Sequence, residues 1–170
     1  MLKCGQSAGK IFSMDKINKI SSADGNYISG FADGEGSFNI SFKERDDYKK
    51  KVKITASFNI SQKDEKILVW IKSVFGCGTL RTRKDGIHYF EVTDVESLTN
   101  LVIPFFNRFP LRSGKAETFN TFCKIVFMMK SKIHLTREGI LKIFDMRETI
   151  HVGRIRKHTR EQLLELLSSY

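Results

Sequence analysis

Glu35 is the residue of this chain whose position most demands a chemical reason. It stands between Gly34 and Gly36 at the end of the stretch Ile-Ser-Gly-Phe-Ala-Asp-Gly-Glu-Gly that runs from Ile28 to Gly36. The stretch begins as a short apolar helix for which Ser22 or Asp24 is the expected N-cap. A carboxylate where a helix ends faces the negative pole of the dipole, so it needs a cation to offset it, and a divalent metal would do so. Asp33 lies only two residues earlier, need not face the same site, and reads as structural. Gly30 and Gly34 are four apart and share one helical face, which removes the side chains that keep a second helix at ordinary distance. Each helical glycine costs about 1 kcal/mol against alanine. Two in so short a helix predict a face built for close contact.

Other chemistries fit less well. Gly5-Gln-Ser-Ala-Gly9-Lys10-Ile11 suggests a phosphate-binding loop, but it is one residue short, lacks Ser or Thr after the lysine and follows no predicted strand. The acidic and polar positions from Asp33 to Glu44 resemble a calcium loop, yet Phe38 stands where the turn demands glycine. Cys4, Cys77 and Cys123 form no Cys-x-x-Cys pair and read as reduced structural thiols. The histidines, His88, His134, His151 and His158, lack zinc-ligand spacing.

The stretch Ile28 to Gly36 resembles the signature helix of the LAGLIDADG homing endonucleases, with glycines at the third, seventh and ninth places and acids at the sixth and eighth. The order of elements after it, along most of the chain, matches that family too. The resemblance implies that Glu35, the eighth-place acid, binds the catalytic metal. One copy of the motif implies a homodimer whose signature helices meet at the two-fold axis through Gly30, Phe31 and Gly34. Two Glu35 side chains there, each with the Gly36 carbonyl beside it, would give the oxygen-rich site that Mg²⁺ prefers. Gln62, at the end of Phe58-Asn-Ile-Ser-Gln62, resembles the family residue that orders the nucleophilic water, with Lys66 as a nearby base or phosphate grip. Before the helix of Phe119, either Arg112 or Lys115 matches the central basic residue. Lys115 is the favoured one, with charge stabilisation in the transition state as its role.

The elements that must position these residues are legible from periodicity. Ser37, Asn39, Ser41 and Lys43 alternate with Phe38, Ile40 and Phe42; after a charged turn, Lys51, Lys53, Thr55, Ser57, Asn59 and Ser61 alternate with Val52, Ile54, Ala56, Phe58 and Ile60. This predicts an antiparallel hairpin with one apolar and one polar face. Helical spacing follows over 63–75 and stops at Gly76-Cys77-Gly78. A second hairpin turns at Lys84-Asp85-Gly86, and Thr93-x-x-Glu96 reads as a capping box opening the next helix. Further helices are expected at 113–130, 136–147 and 159–168. The order helix, hairpin, helix, hairpin, helices makes the fold class α+β; the resemblance implies an αββαββα core whose two antiparallel hairpins form a DNA-binding saddle, plus C-terminal helices. The expected divisions are a loosely ordered leader over 1–21, the endonuclease core over 22–148, and a basic C-terminal tail and helix over 149–170.

Polar sheet faces are usually just wet. Here the outward residues mix short hydroxyls and amides with Lys and Arg and contain no acid after Glu35, which suits base edges and phosphates. Arg81 and Arg83 extend the set and His88 is a further candidate, while Arg154, Arg156 and Lys157 would grip flanking phosphates. A ten-residue strand spans about 33 Å, so each subunit covers about ten base pairs and a dimer roughly 20. The formal charge of +10, doubled to +20 in a dimer, argues for a polyanionic partner. No apolar run approaches the roughly 18 residues of a spanning helix, so no membrane is expected. No secretory signal is visible, and high Phe, Ile, Lys and Asn resembles an organellar or AT-rich bacterial source. The resemblance implies an intron-encoded, Mg²⁺-dependent endonuclease that cleaves a long pseudo-palindromic duplex. The rivals are an intron RNA-binding maturase and a catalytically silent DNA-binding regulator.

Overall fold

The computed structural model describes residues 15–45, 52–150 and 159–168. Lys51 of the expected second strand and Arg154, Arg156 and Lys157 of the expected tail lie outside these residues. Helix α1 spans Ser22–Glu35, and its N-cap is Ser21, in place of the expected Ser22 or Asp24. The Ser21 hydroxyl oxygen accepts the Asp24 N–H at 3.0 Å and donates to the Asp24 carboxylate at 2.7 Å, which starts the helix before the apolar pattern shows it.

Strands β1 (Gly36–Glu44) and β2 (Val52–Gln62) form the first hairpin. Helix α2 (Glu65–Phe75) is N-capped by Asp64 and ends at Gly76, whose φ of 66° is the left-handed conformation that glycine adopts most readily. Strands β3 (Thr79–Thr82) and β4 (His88–Val92) make the second hairpin, turning through Gly86 at φ 79°. The hairpins join because β2 pairs antiparallel with β4, giving one sheet in the order β1-β2-β4-β3.

Helix α3 starts as an α-helix over Val95–Ser97, widens to a π-helix over Leu98–Val102, and returns to α over Ile103–Arg108. Pro104 has no N–H to return to Asn100, and the Ile103 N–H reaches back to the Leu98 carbonyl instead. The cap is Asp94, not the expected Thr93; its carboxylate accepts the Ser97 N–H at 2.7 Å, one residue later in register than the capping box suggests. Helices α4 (Lys115–Lys130), α5 (Arg137–Glu148) and α6 (Arg160–Ser168) complete the described residues. Before α6, Thr159 and Gln162 cap reciprocally, the Thr159 N–H donating to the Gln162 side chain and the Gln162 N–H to the Thr159 hydroxyl.

One core serves all of it. Phe38 is fully buried, with ring centroids of Phe58, Phe106, Phe119 and Phe122 at 5.1 to 5.4 Å. This cluster fixes β1 and β2 against α3 and α4. Ile17, within the expected leader, is buried in the same core and its carbonyl accepts from Arg108; Leu163 and Leu167 of α6 are buried there too. Among the described residues no helix is long and apolar enough to cross a membrane. Cys77 and Cys123 are free thiols whose pKa is raised by burial, that of Cys123 to about 12, so neither is a ready nucleophile.

Gly25 shows how tightly α1 is seated. A Cβ there would meet the Phe109 ring at 2.3 to 2.5 Å. Gly25→Ala gains about 1 kcal/mol of helix propensity but must displace a buried ring at a cost of about 1–3 kcal/mol. The expected outcome is a net loss of about 1 kcal/mol, read as a lower midpoint in urea unfolding with an unchanged slope.

Candidate active site

Helix α1 is tied to the segment before α4 along one face, at intervals of four residues. Gly25 admits the Phe109 ring; the buried Ser29 hydroxyl donates to the Phe109 carbonyl at 2.9 Å. Asp33 accepts the backbone N–H groups of Arg112 and Ser113, both at 2.9 Å, and the Ser113 hydroxyl at 2.5 Å. Burial pushes the Asp33 carboxyl up, but those three hydrogen bonds and the nearby Lys115 charge outweigh it, so its pKa lies below the ordinary 3.8. The Asp33 contact is therefore complete above that ordinary value and is lost only as pH falls through the lower folded one. Its role is to hold the loop that carries the central basic residues.

That loop delivers Lys115 to the end of α1. Its Nζ donates to the Ala32 carbonyl at 3.0 Å, which also accepts the Gly36 N–H, and lies 3.3 Å from the carbonyl of Gly34 in the last turn. A cation thus stands at the negative pole beside Glu35. Burial lowers the pKa of Lys115, while the charges of Asp33 and Glu35 oppose the shift. Arg112 contributes its backbone to Asp33, and its side chain lines a cleft of about 320 Å³ with Asn26, Ser29, Gly30, Asp33 and Pro110. Gly36 follows at once as the first residue of β1. A Cβ there would meet the Ala32 carbonyl oxygen at 2.6 Å, so glycine is what lets helix pass directly into strand.

Gln62 closes β2 two residues past Ile60, the partner of Gly36, which places it at the same end of the sheet as Glu35. Its side-chain oxygen accepts the Lys63 N–H at 2.7 Å. Lys66 is exposed in the first turn of α2, its N–H donating to Asp64. The outer face of α1 is open: among the described residues, apart from the helix's own backbone, nothing lies within 4 Å of a Cβ built at Gly30 or Gly34. Phe31 is half-buried and stacks on Tyr27, which is 56% exposed and meets Trp70 edge-on at 5.7 Å.

The register sorts the sheet residues by face. Ser37 pairs with Asn59, Asn39 with Ser57, Ser41 with Thr55 and Lys43 with Lys53, all opposite to the buried Phe38, Ile40, Phe42, Ala56 and Phe58. Ser61, Tyr89 and Arg81 form a further outward row, and Arg83 follows two residues beyond Arg81 and pairs with Asp85 at 3.1 Å. His88 does not belong to this face. It stands opposite Gln62 and Thr82, one residue out of phase with Tyr89, and its Nδ1 lies 2.9 Å from the Thr82 hydroxyl. Glu91 and Tyr89 do face outward, and the expectation of a face without acids fails at Glu91. The irregular alternation of β4 conceals both in the sequence; only its pairing with β2 reveals them.

The donor set bears on a metal. Among the described residues no three His, Cys, Asp or Glu side chains come together. Asp33 is occupied by the loop, which leaves Glu35 as an exposed carboxylate at the helix–strand junction. Mg²⁺ commonly takes one or two carboxylates with water and phosphate oxygens. The Glu35 carboxylate is a hard oxygen donor of the kind such an ion takes.

The chain matches the family model described as LAGLIDADG endonuclease over residues 28–126. It is 32% identical over 131 residues to the "Probable intron-encoded endonuclease 2" of Neurospora crassa, covering 75% of this chain but 29% of that protein. It is 27% identical over 149 residues to the homing endonuclease I-ApeII of Aeropyrum pernix, covering 83% of this chain and 88% of that one. The crystal structure of the I-LtrWI LAGLIDADG homing endonuclease bound to target DNA superposes with a TM-score of 0.74 at 32% identity, covering 80% of this chain and 47% of that one. This chain thus spans less than a third of the Neurospora relative and about half of the I-LtrWI chain. With its signature helix, its sheet order and a family match over more than half of its residues, the chain belongs to the LAGLIDADG endonuclease family.

Proposed function

We propose that this chain is a site-specific DNA endonuclease that acts as a homodimer and hydrolyses both strands of a long pseudo-palindromic target with a divalent metal, Mg²⁺ by its oxygen donors. The observation that carries the reading is the placement of Glu35. It is exposed where the open glycine face of α1 meets the polar sheet face, with a lysine at the same helix end. The near full-length match to I-ApeII supports one such chain per half-site. The name of the Neurospora relative supports an intron-encoded origin, and with it an organelle or a bacterial cytoplasm as the setting.

Two copies joined through Gly30, Phe31 and Gly34 would bring both Glu35 carboxylates to the two-fold axis, with the Gly36 carbonyls beside them. Glu35 and the Gly36 carbonyls would hold a divalent ion, whose chemistry there would be to polarise a phosphate oxygen and activate water near neutral pH. The side-chain amide of Gln62 orients the attacking water. Lys115 holds a positive charge beside Glu35 as charge develops on the scissile phosphate. Lys66 serves as base or phosphate grip, and Arg112 as a second phosphate contact. The outward residues of the sheet, Ser37, Asn39, Ser41, Lys43, Lys53, Thr55, Ser57, Asn59, Ser61, Arg81 and Arg83, read base edges and phosphates in the major groove.

The purified protein and its Glu35→Gln variant are to be incubated with a randomised duplex library in Mg²⁺ and in Ca²⁺, and cut and bound molecules sequenced. Sequence-specific cutting in Mg²⁺ is expected, absent from Glu35→Gln while selective binding in Ca²⁺ persists. Selective binding without cutting under any divalent ion would make the protein a regulator; no selective duplex binding would point to intron RNA. The cleavage rate falls at alkaline pH as Lys115 loses its proton, with a midpoint below the 10.5 of an ordinary lysine. Lys115→Arg moves that limb upward, whereas Lys115→Met costs about 10²–10³ in rate below that midpoint and removes the limb. Gly30→Leu abolishes self-association in sedimentation, because its side chain fills the open face, while Gly30→Ala stabilises the helix of the isolated chain by about 1 kcal/mol.

A further inference from the structure

We propose that Glu91 determines specificity by accepting a hydrogen bond from the exocyclic amino group of a cytosine, and so fixes one base pair in each half-site. The inference rests on the reading of the polar sheet face as a DNA-binding surface. Glu91 stands between Asn59 on β2 and Thr79 on β3, in the row that continues to Ser37 on β1. At about 4.8 Å per strand these four residues span about 14 Å across the sheet. It is the sole acid among the described outward positions of the four strands.

An acid on such a face needs an occupation. The Glu91 carboxylate forms no hydrogen bond or ion pair with the described residues. Arg81, the nearest cation in the register, is diagonal to it and makes no bond to it, and Arg83 is engaged by Asp85. A bare carboxylate is repelled by phosphate, so it belongs on a base edge that offers a donor. In the major groove only the amino groups of cytosine and adenine do so, since guanine offers two acceptors and thymine an acceptor and a methyl. A carboxylate suits the lone N4 donor of cytosine. Adenine presents a donor beside an acceptor, which matches an amide such as Asn59 instead.

The test is to sequence duplexes bound in Ca²⁺ from a randomised library by the wild type, Glu91→Gln, Glu91→Ala and Arg81→Ala. The wild type is expected to prefer cytosine about tenfold at one position of each half-site. Glu91→Gln moves that position to adenine, Glu91→Ala erases the preference, and the rest of the profile stays, which also verifies the fold. An unchanged profile in both Glu91 variants overturns the proposal while leaving DNA reading intact. Changes confined to a guanine position that Arg81→Ala also alters would overturn direct reading and make Glu91 a positioning residue for Arg81. A wild type that enriches no sequence overturns this proposal together with the DNA-reading function beneath it.

Discussion

The attachment of α1 to the segment from Phe109 to Lys115 is the constraint on which the rest of the site depends. Gly25, Ser29 and Asp33 recur every four residues and so present one stripe of the helix. Each makes a different kind of contact: a glycine admits a ring, a buried hydroxyl meets a carbonyl, and a carboxylate collects two N–H groups. Because the stripe is continuous, the loop cannot slide along α1 without breaking several contacts at once. Lys115 consequently arrives at the end of the helix rather than somewhere along it.

The two acids of the signature divide the labour. Asp33 is turned inward and spent on the loop, whereas Glu35, two residues on, has rotated to the open side. The lysine that Asp33 indirectly positions caps carbonyls of the same helix end that carries Glu35. A cation and a carboxylate therefore share one helix terminus, and the unfavourable dipole environment of Glu35 is offset within the chain. The glycine stripe beside that of Asp33 has no such contacts among the described residues.

The sheet couples this helix to a polar outward face. Gly36 is both the cap of α1 and the start of β1, so the outward row beginning at Ser37 lies immediately beside Glu35. The aromatic cluster around Phe38 anchors the other face, so the polar face is fixed in register as well as exposed. A one-residue slip would exchange its Asn and Ser residues for Phe and Ile.

The sequence by itself determined α1, the strict alternation of β1 and β2, Glu35 as the exposed acid, and the glycine stripe, because each is a local pattern with a period of its own. The reciprocal cap of Thr159 and Gln162 is likewise a local spacing, Thr-x-x-Gln. Only the tertiary structure decided what depends on partners distant in the chain. The bonds of Asp33 to Arg112 and Ser113 join residues some eighty positions apart, and nothing in local spacing announces them. The faces of β4 were likewise undecidable from its mixed pattern; pairing with β2 put Tyr89 and Glu91 outward and removed His88. Cap identities shifted by a residue, to Ser21 and Asp94, because several adjacent side chains can cap and the backbone geometry selects one.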